Sequence, residues 1–172
     1  MSTTHRNITE GLIAGFVGTV VLSLLMVAKG MMGLMPEVNV IKMLTAVSHQ
    51  YLDTPVTPII GWIAHFVIGT FLWGGLFTLF AIHWRMPNFA AKGVVFATLA
   101  WLLMMIVLMP LAGAGFFGVK IGIDVPVSTL LLHWVYGGVL GSIYGALKRS
   151  REVVEEPRLH HGPSGQAGHG WR

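Results

Sequence analysis

The chain has 172 residues, of which 54% are hydrophobic and only 10% charged, with a net charge of +4. A soluble domain carries about a quarter charged residues, so this composition excludes an ordinary water-soluble fold. The absence of cysteine excludes disulfides, thiolate metal sites and cysteine nucleophiles, and no basic stretch interleaved with aromatics marks nucleic-acid binding.

The apolar residues form unbroken runs close to the ~20 residues that cross a bilayer as a helix. The first runs from Gly11 to Ala28 and continues through Met31-Met32-Gly33-Leu34-Met35 if Lys29 snorkels. Arg6 and Ala28-Lys29-Gly30 loosely imitate a signal peptide, but the run exceeds the ~7–15 residues of a signal core and reads as a retained helix. Between Val38 and Leu52, apolar residues at Val40, Ile41, Leu44, Val47 and Tyr51 keep a helical spacing. They predict a short amphipathic helix lying on the membrane surface. Pro55 and Pro58 end it and lead into the second span, Ile59 to Ala81. A tight connection from His83 to Phe89 leads to the third, Gly93 to Met109, which Pro110 and Ala112-Gly113-Ala114-Gly115 interrupt. The fourth is Val127 to Leu147. Residues 149–172, charged and then rich in Gly, His and Pro (His160-His161-Gly162-Pro163), have too little apolar surface to fold alone and read as a disordered tail. Residues 1–148 are thus one all-α, polytopic bundle of four membrane helices, with the lipid bilayer as its first partner.

Charge placement orients it. Arg6, Arg85, Lys92, Lys148, Arg149, Arg151, Arg158 and Arg172 gather on the side of the two termini, against Lys29, Lys42 and Lys120 on the other. The positive-inside rule makes the termini cytoplasmic.

The second and fourth spans carry nearly the same phrase, His65-Phe66-Val67-Ile68-Gly69 and His133-Trp134-Val135-Tyr136-Gly137. The first and third echo each other more faintly, in Ser23-Leu24-Leu25-Met26 and Trp101-Leu102-Leu103-Met104. Two crossings separate the copies, so the chain reads as two parallel helix hairpins related about the membrane normal. Both histidines then lie ~9 Å below the outer boundary, at ~1.5 Å per residue. A polar ring at that depth is costly and usually has a reason. Facing each other, His65 and His133 have the placement for axial ligation of haem b, with Gly69 and Gly137 clearing space beside them. The same glycines, with Gly141, Gly145, Gly11 and Gly15, also form small-xxx-small faces for close helix packing, and a membrane histidine often only hydrogen-bonds between helices.

Methionines Met31, Met32, Met35, Met43 and Met109, with His49, His65 and His133, offer thioether and imidazole to Cu(I), though without a copper-site spacing. The tail histidines His160, His161 and His169 offer at most weak metal binding. All seven acids are read in loops or at termini, which argues against an ion-coupled carrier. No Ser-His-acid set, HExxH or Gly-Asp protease motif is present.

Gly30-Met31-Met32-Gly33-Leu34-Met35-Pro36, Gly61-Trp62-Ile63-Ala64-His65-Phe66-Val67-Ile68-Gly69-Thr70, Met109-Pro110-Leu111-Ala112-Gly113-Ala114-Gly115-Phe116-Phe117-Gly118 and His133-Trp134-Val135-Tyr136-Gly137 resemble an uncharacterised family of small bacterial inner-membrane proteins, a domain of unknown function. The resemblance implies four membrane helices and no activity, ligand or catalytic residue. The leading reading is a non-enzymatic membrane protein packed through its glycine faces into a homo-oligomer or with other membrane subunits. A bis-histidine haem b electron carrier comes second and a copper-handling protein third.

Overall fold

Asn39 begins the clearest local signal in the chain: its side chain accepts the Lys42 amide at 2.9 Å and starts an amphipathic helix one residue later. A computed structural model describes residues 3–33, 39–84 and 86–159, with the side chains of 5–154 among them. Five helices make up the fold: α1 (Thr3–Met31), α2 (Val40–Leu52), α3 (Pro58–His83), α4 (Phe89–Leu111) and α5 (Val125–Leu159). No strand occurs among the described residues. Helices α1, α3, α4 and α5 are long and apolar enough to cross a membrane, and α2 is the predicted amphipathic helix. Asp53 ends α2 in the left-handed conformation, its N–H bonded to His49 O.

The helices outrun the apolar runs at both ends because the flanking polar turns are helical too. Asn88 caps α4 through bonds from Ala90 N and Ala91 N, so that helix begins at Phe89, ahead of Gly93. Pro110 does not end it. A π-turn over Met104–Leu108 precedes the proline, and Ala112 N still reaches Leu108 O at 2.9 Å. A π-turn is a common way to re-satisfy the backbone where the regular ladder is broken. The tail expected to be disordered from Ser150 continues α5 to Leu159 instead. Arg151 holds it down, donating to Asn7 Oδ1 at 3.0 Å and pairing with Glu10 at 3.1 Å on α1. The rest of that predicted tail, from residue 160, lies outside the described residues.

Glu10 is a correction as well. Read as a terminal acid, it sits inside α1, 9% exposed. Because α1 starts before the apolar run, its polar first turns pack against α3 and α5. Thr78 Oγ1 donates to Asn7 O and Gly74 O there.

Glycines set the helix spacing. A Cβ on Gly15 would press on the Gly69 carbonyl, and one on Gly93 on the Gly137 carbonyl. Gly11 and Gly74 meet backbone to backbone, as Gly141 meets Phe89 and Ala90. The first hairpin, α1 with α3, and the second, α4 with α5, are thus closed by equivalent contacts. In α3 the contact falls one residue farther from the histidine, because a π-turn over Ile68–Trp73 intervenes. Phe77 and Tyr144, fully buried, cross edge to face between the hairpins with centroids 5.4 Å apart. These glycine faces pack within the chain, so they do not supply the intersubunit surface expected of them. What α1, α3 and α4 turn outward is apolar, as at Leu24, Phe71 and Leu99, and suits contact with lipid.

Candidate functional site

At the α2 end, the two hairpins separate around a cavity of about 280 Å³. Every helix contributes to its wall. Thr19, Leu22 and Met26 come from α1, Val40 and Leu44 from α2, and Ala100, Leu103 and Met104 from α4. His65, Gly69 and Trp73 come from α3; Thr129, His133 and Tyr136 come from α5. Residues of both π-turns line it, including Ile68, Leu72, Val107 and Leu108. No charged side chain does. Helix α2 is held over the end of the cavity because Gly61 lets it settle on α3, with Ile41 O and the Thr45 hydroxyl against the glycine.

Both sequence-predicted histidines therefore open on one space, together with Gly69. Gly137 is elsewhere, pressed against Gly93 and Ala97 on α4. Gly69 itself packs on the Thr19 side chain.

The two imidazoles differ in what they have to offer. Ser23 Oγ donates to Thr19 O at 2.7 Å, so the hydroxyl can only accept from the ring nitrogen 3.2 Å away. His65 Nε2 therefore carries the hydrogen and donates it across to α1. His133 turns its Nδ1 edge to its own helix, 2.7 Å from Thr129 O. A carbonyl can only accept, so Nδ1 is protonated and Nε2 keeps its lone pair. The reason lies in the faint echo between the first and third spans, where Trp101 stands in the place of Ser23. Its indole N–H donates to Thr129 Oγ1 at 3.1 Å and has nothing to accept with.

The remaining hydroxyls of the wall are directed to backbone. Thr19 donates to Gly15 O, Thr129 to Val125 O and Tyr136 to Gly69 O, each at 2.7 Å. Tyr136 ties α5 to α3 in this way.

The methionine set expected around copper is scattered. Met31 and Met32 are 85% and 65% exposed, Met43 and Met109 belong to a packed cluster with Met105, Ala114 and Val125, and Met35 lies outside the described residues. His49 bonds Thr54 O at the surface. Among the described residues, no group of three or more His, Cys, Asp or Glu is placed to hold a metal. Sequence reasoning passed over the thioethers that do face the histidines, Met26 and Met104. They occupy equivalent places in the two echoing phrases, and that equivalence was the available signal.

The model of one family, described as a family of unknown function, matches residues 5–154. The chain belongs to the DUF6789 family. No curated protein and no solved structure matches it. The DUF6789 match takes in all four spans, α2 and every residue of the cavity wall, so the site lies wholly within the family's shared region.

Proposed function

We propose that this chain is a non-enzymatic integral membrane protein that holds a small, uncharged, lipophilic molecule in the cavity between its two hairpins. The observation that carries the reading is the cavity itself: apolar, capped by α2, and bearing two imidazoles on facing hairpins. An apolar space of about 280 Å³ lined by all five helices is of a size to take an occupant. The walls favour an apolar one, since a water needs two to four polar partners there and the hydroxyl protons are already engaged.

The concentration of Arg and Lys at the end holding both termini supports a cytoplasmic placement of that end, with α2 on the outer face of a bacterial inner membrane. Ligation of haem b between the histidines is the second reading; they share the cavity, but about 280 Å³ is too small for a porphyrin, so the hairpins have to part to admit it. It requires His65 to release Ser23 so that its Nε2 can bind iron.

The test is saturable quenching of tryptophan fluorescence by bromobenzene in detergent, since Trp73 lines the cavity. Ala100→Phe, which projects a ring into the same space, is expected to abolish the saturable phase. Linear quenching that is identical in both proteins refutes the reading. A dithionite-reduced minus oxidised spectrum of protein from a haem-replete host decides the second.

A further inference from the structure

We infer that the occupant is anchored by an O–H group donated to Nε2 of His133, and that its chemical class is a phenol or hydroquinone. The inference rests on the receptacle reading above and names the ligand's head.

The hydrogen-bond inventory of the wall leads there. Thr19, Thr129 and Tyr136 each give their hydroxyl hydrogen to a backbone carbonyl, and Ser23 behind His65 does the same. His65 gives its Nε2 hydrogen to Ser23. His133 gives its Nδ1 hydrogen to Thr129 O, which fixes the ring and leaves a directed lone pair on the opposite edge. An unmet acceptor in an apolar, water-poor wall is unfavourable, so the complementary ligand supplies a donor. With no charged side chain in the wall, that donor is neutral.

Size and lining narrow the class. A volume of about 280 Å³ lies at the lower edge of the ~300–1,000 Å³ of ordinary ligand pockets and is nearly twice the ~150 Å³ that takes up benzene, room for one substituted ring or a fused pair. Met26 and Met104, one from each hairpin, bring polarisable sulfur to the wall, and Trp73 brings an aromatic face. Thioether–ring contacts are favourable and adaptable. An aromatic ring fits these neighbours better than an aliphatic alcohol, and a phenolic O–H is the stronger donor to an imidazole. The duplication explains why one histidine serves and the other does not: Ser23 occupies His65, and the second hairpin has Trp101 at that place.

The experiment compares 4-bromophenol, 4-bromoanisole and bromobenzene as quenchers, each corrected for its partition into micelles. The anisole keeps the oxygen and lacks the donor. In the wild-type chain, 4-bromophenol is expected to bind about three- to tenfold more tightly than 4-bromoanisole, the range of one net hydrogen bond. His133→Leu is expected to erase the preference while bromobenzene still binds, and His133→Gln, which retains an acceptor, to keep part of it. Should His133→Leu fail to fold, His133→Gln carries the test, and a phenol preference as large as that of the wild type then overturns the inference. Equal binding of the phenol and the anisole in the wild type, or a preference that survives His133→Leu, overturns the inference while saturable bromobenzene binding leaves the receptacle standing. Absence of saturable bromobenzene binding removes the receptacle itself.

Discussion

Neighbouring glycines on α5 offer a matched test of the helix packing. A Cβ at Gly137 would collide with the Gly93 carbonyl and the Ala97 side chain, whereas one at Gly138 meets nothing within 4 Å. Both are helical, so Gly→Ala removes the same backbone freedom at each, worth ~0.5–1 kcal/mol of stabilisation. At Gly138 that gain is the whole effect. At Gly137 the obstruction is backbone, which cannot rotate aside, so α4 and α5 must separate at an overpacking cost of ~1–3 kcal/mol. The shared entropic part cancels in the comparison. Gly137→Ala should thus be less stable than Gly138→Ala by ~1–3 kcal/mol, about 5- to 150-fold in the folding equilibrium. Unfolding by SDS in mixed micelles, followed by circular dichroism, measures the difference. Equal midpoints for the two variants would refute the packing argument, and with it the account of how the second hairpin is closed.

Three further outcomes follow from the same contacts. In a double-mutant cycle, His65→Phe and Ser23→Ala should couple by ~0.6–1.7 kcal/mol, while His133→Phe and Ser23→Ala, which share no bond, should add independently. Arg151→Met should destabilise strongly by leaving the buried Glu10 carboxylate without its partner, and Glu10→Gln in the same chain should recover most of the loss, as expected for a buried pair; thermal denaturation of the single and double variants decides. Asp53→Gly should raise the thermal midpoint, because Asp53 caps α2 at a φ of 51° that glycine adopts without strain, worth up to ~1 kcal/mol.

Spans and surface helix were readable in the sequence because each is a continuous pattern: long charge-free runs for α3 and α5, and a 3.6-residue stripe for α2. The shared phrase around His65 and His133 marked two side chains that line one space, since residues at equal depth on equivalent helices converge between the hairpins. What the pattern could not convey was direction. Whether a ring nitrogen donates or accepts depends on Ser23 or Trp101 across a helix contact, and no periodicity encodes that. Glu10 was misplaced because a buried carboxylate looks terminal until the helix that carries Arg151 is known to reach it. The glycines were identified correctly as contact faces. Their partner was misjudged because a small-residue stripe is equally suited to a neighbour in the same chain or in another.

The π-turn at Ile68–Trp73 has an implication for how the two hairpins differ. It lies between His65 and the Gly74 contact, where α5 has one residue fewer between His133 and Gly141. An ordinary helix lengthened by one residue would swing everything beyond it by ~100°, carrying Gly74 and Thr78 away from α1. The widened turn takes up the extra residue locally, so the sequence frame shifts while the contact frame does not. The extra residue is thereby confined to the rim of the cavity, where it shapes the cavity without disturbing the seam between α1 and α3.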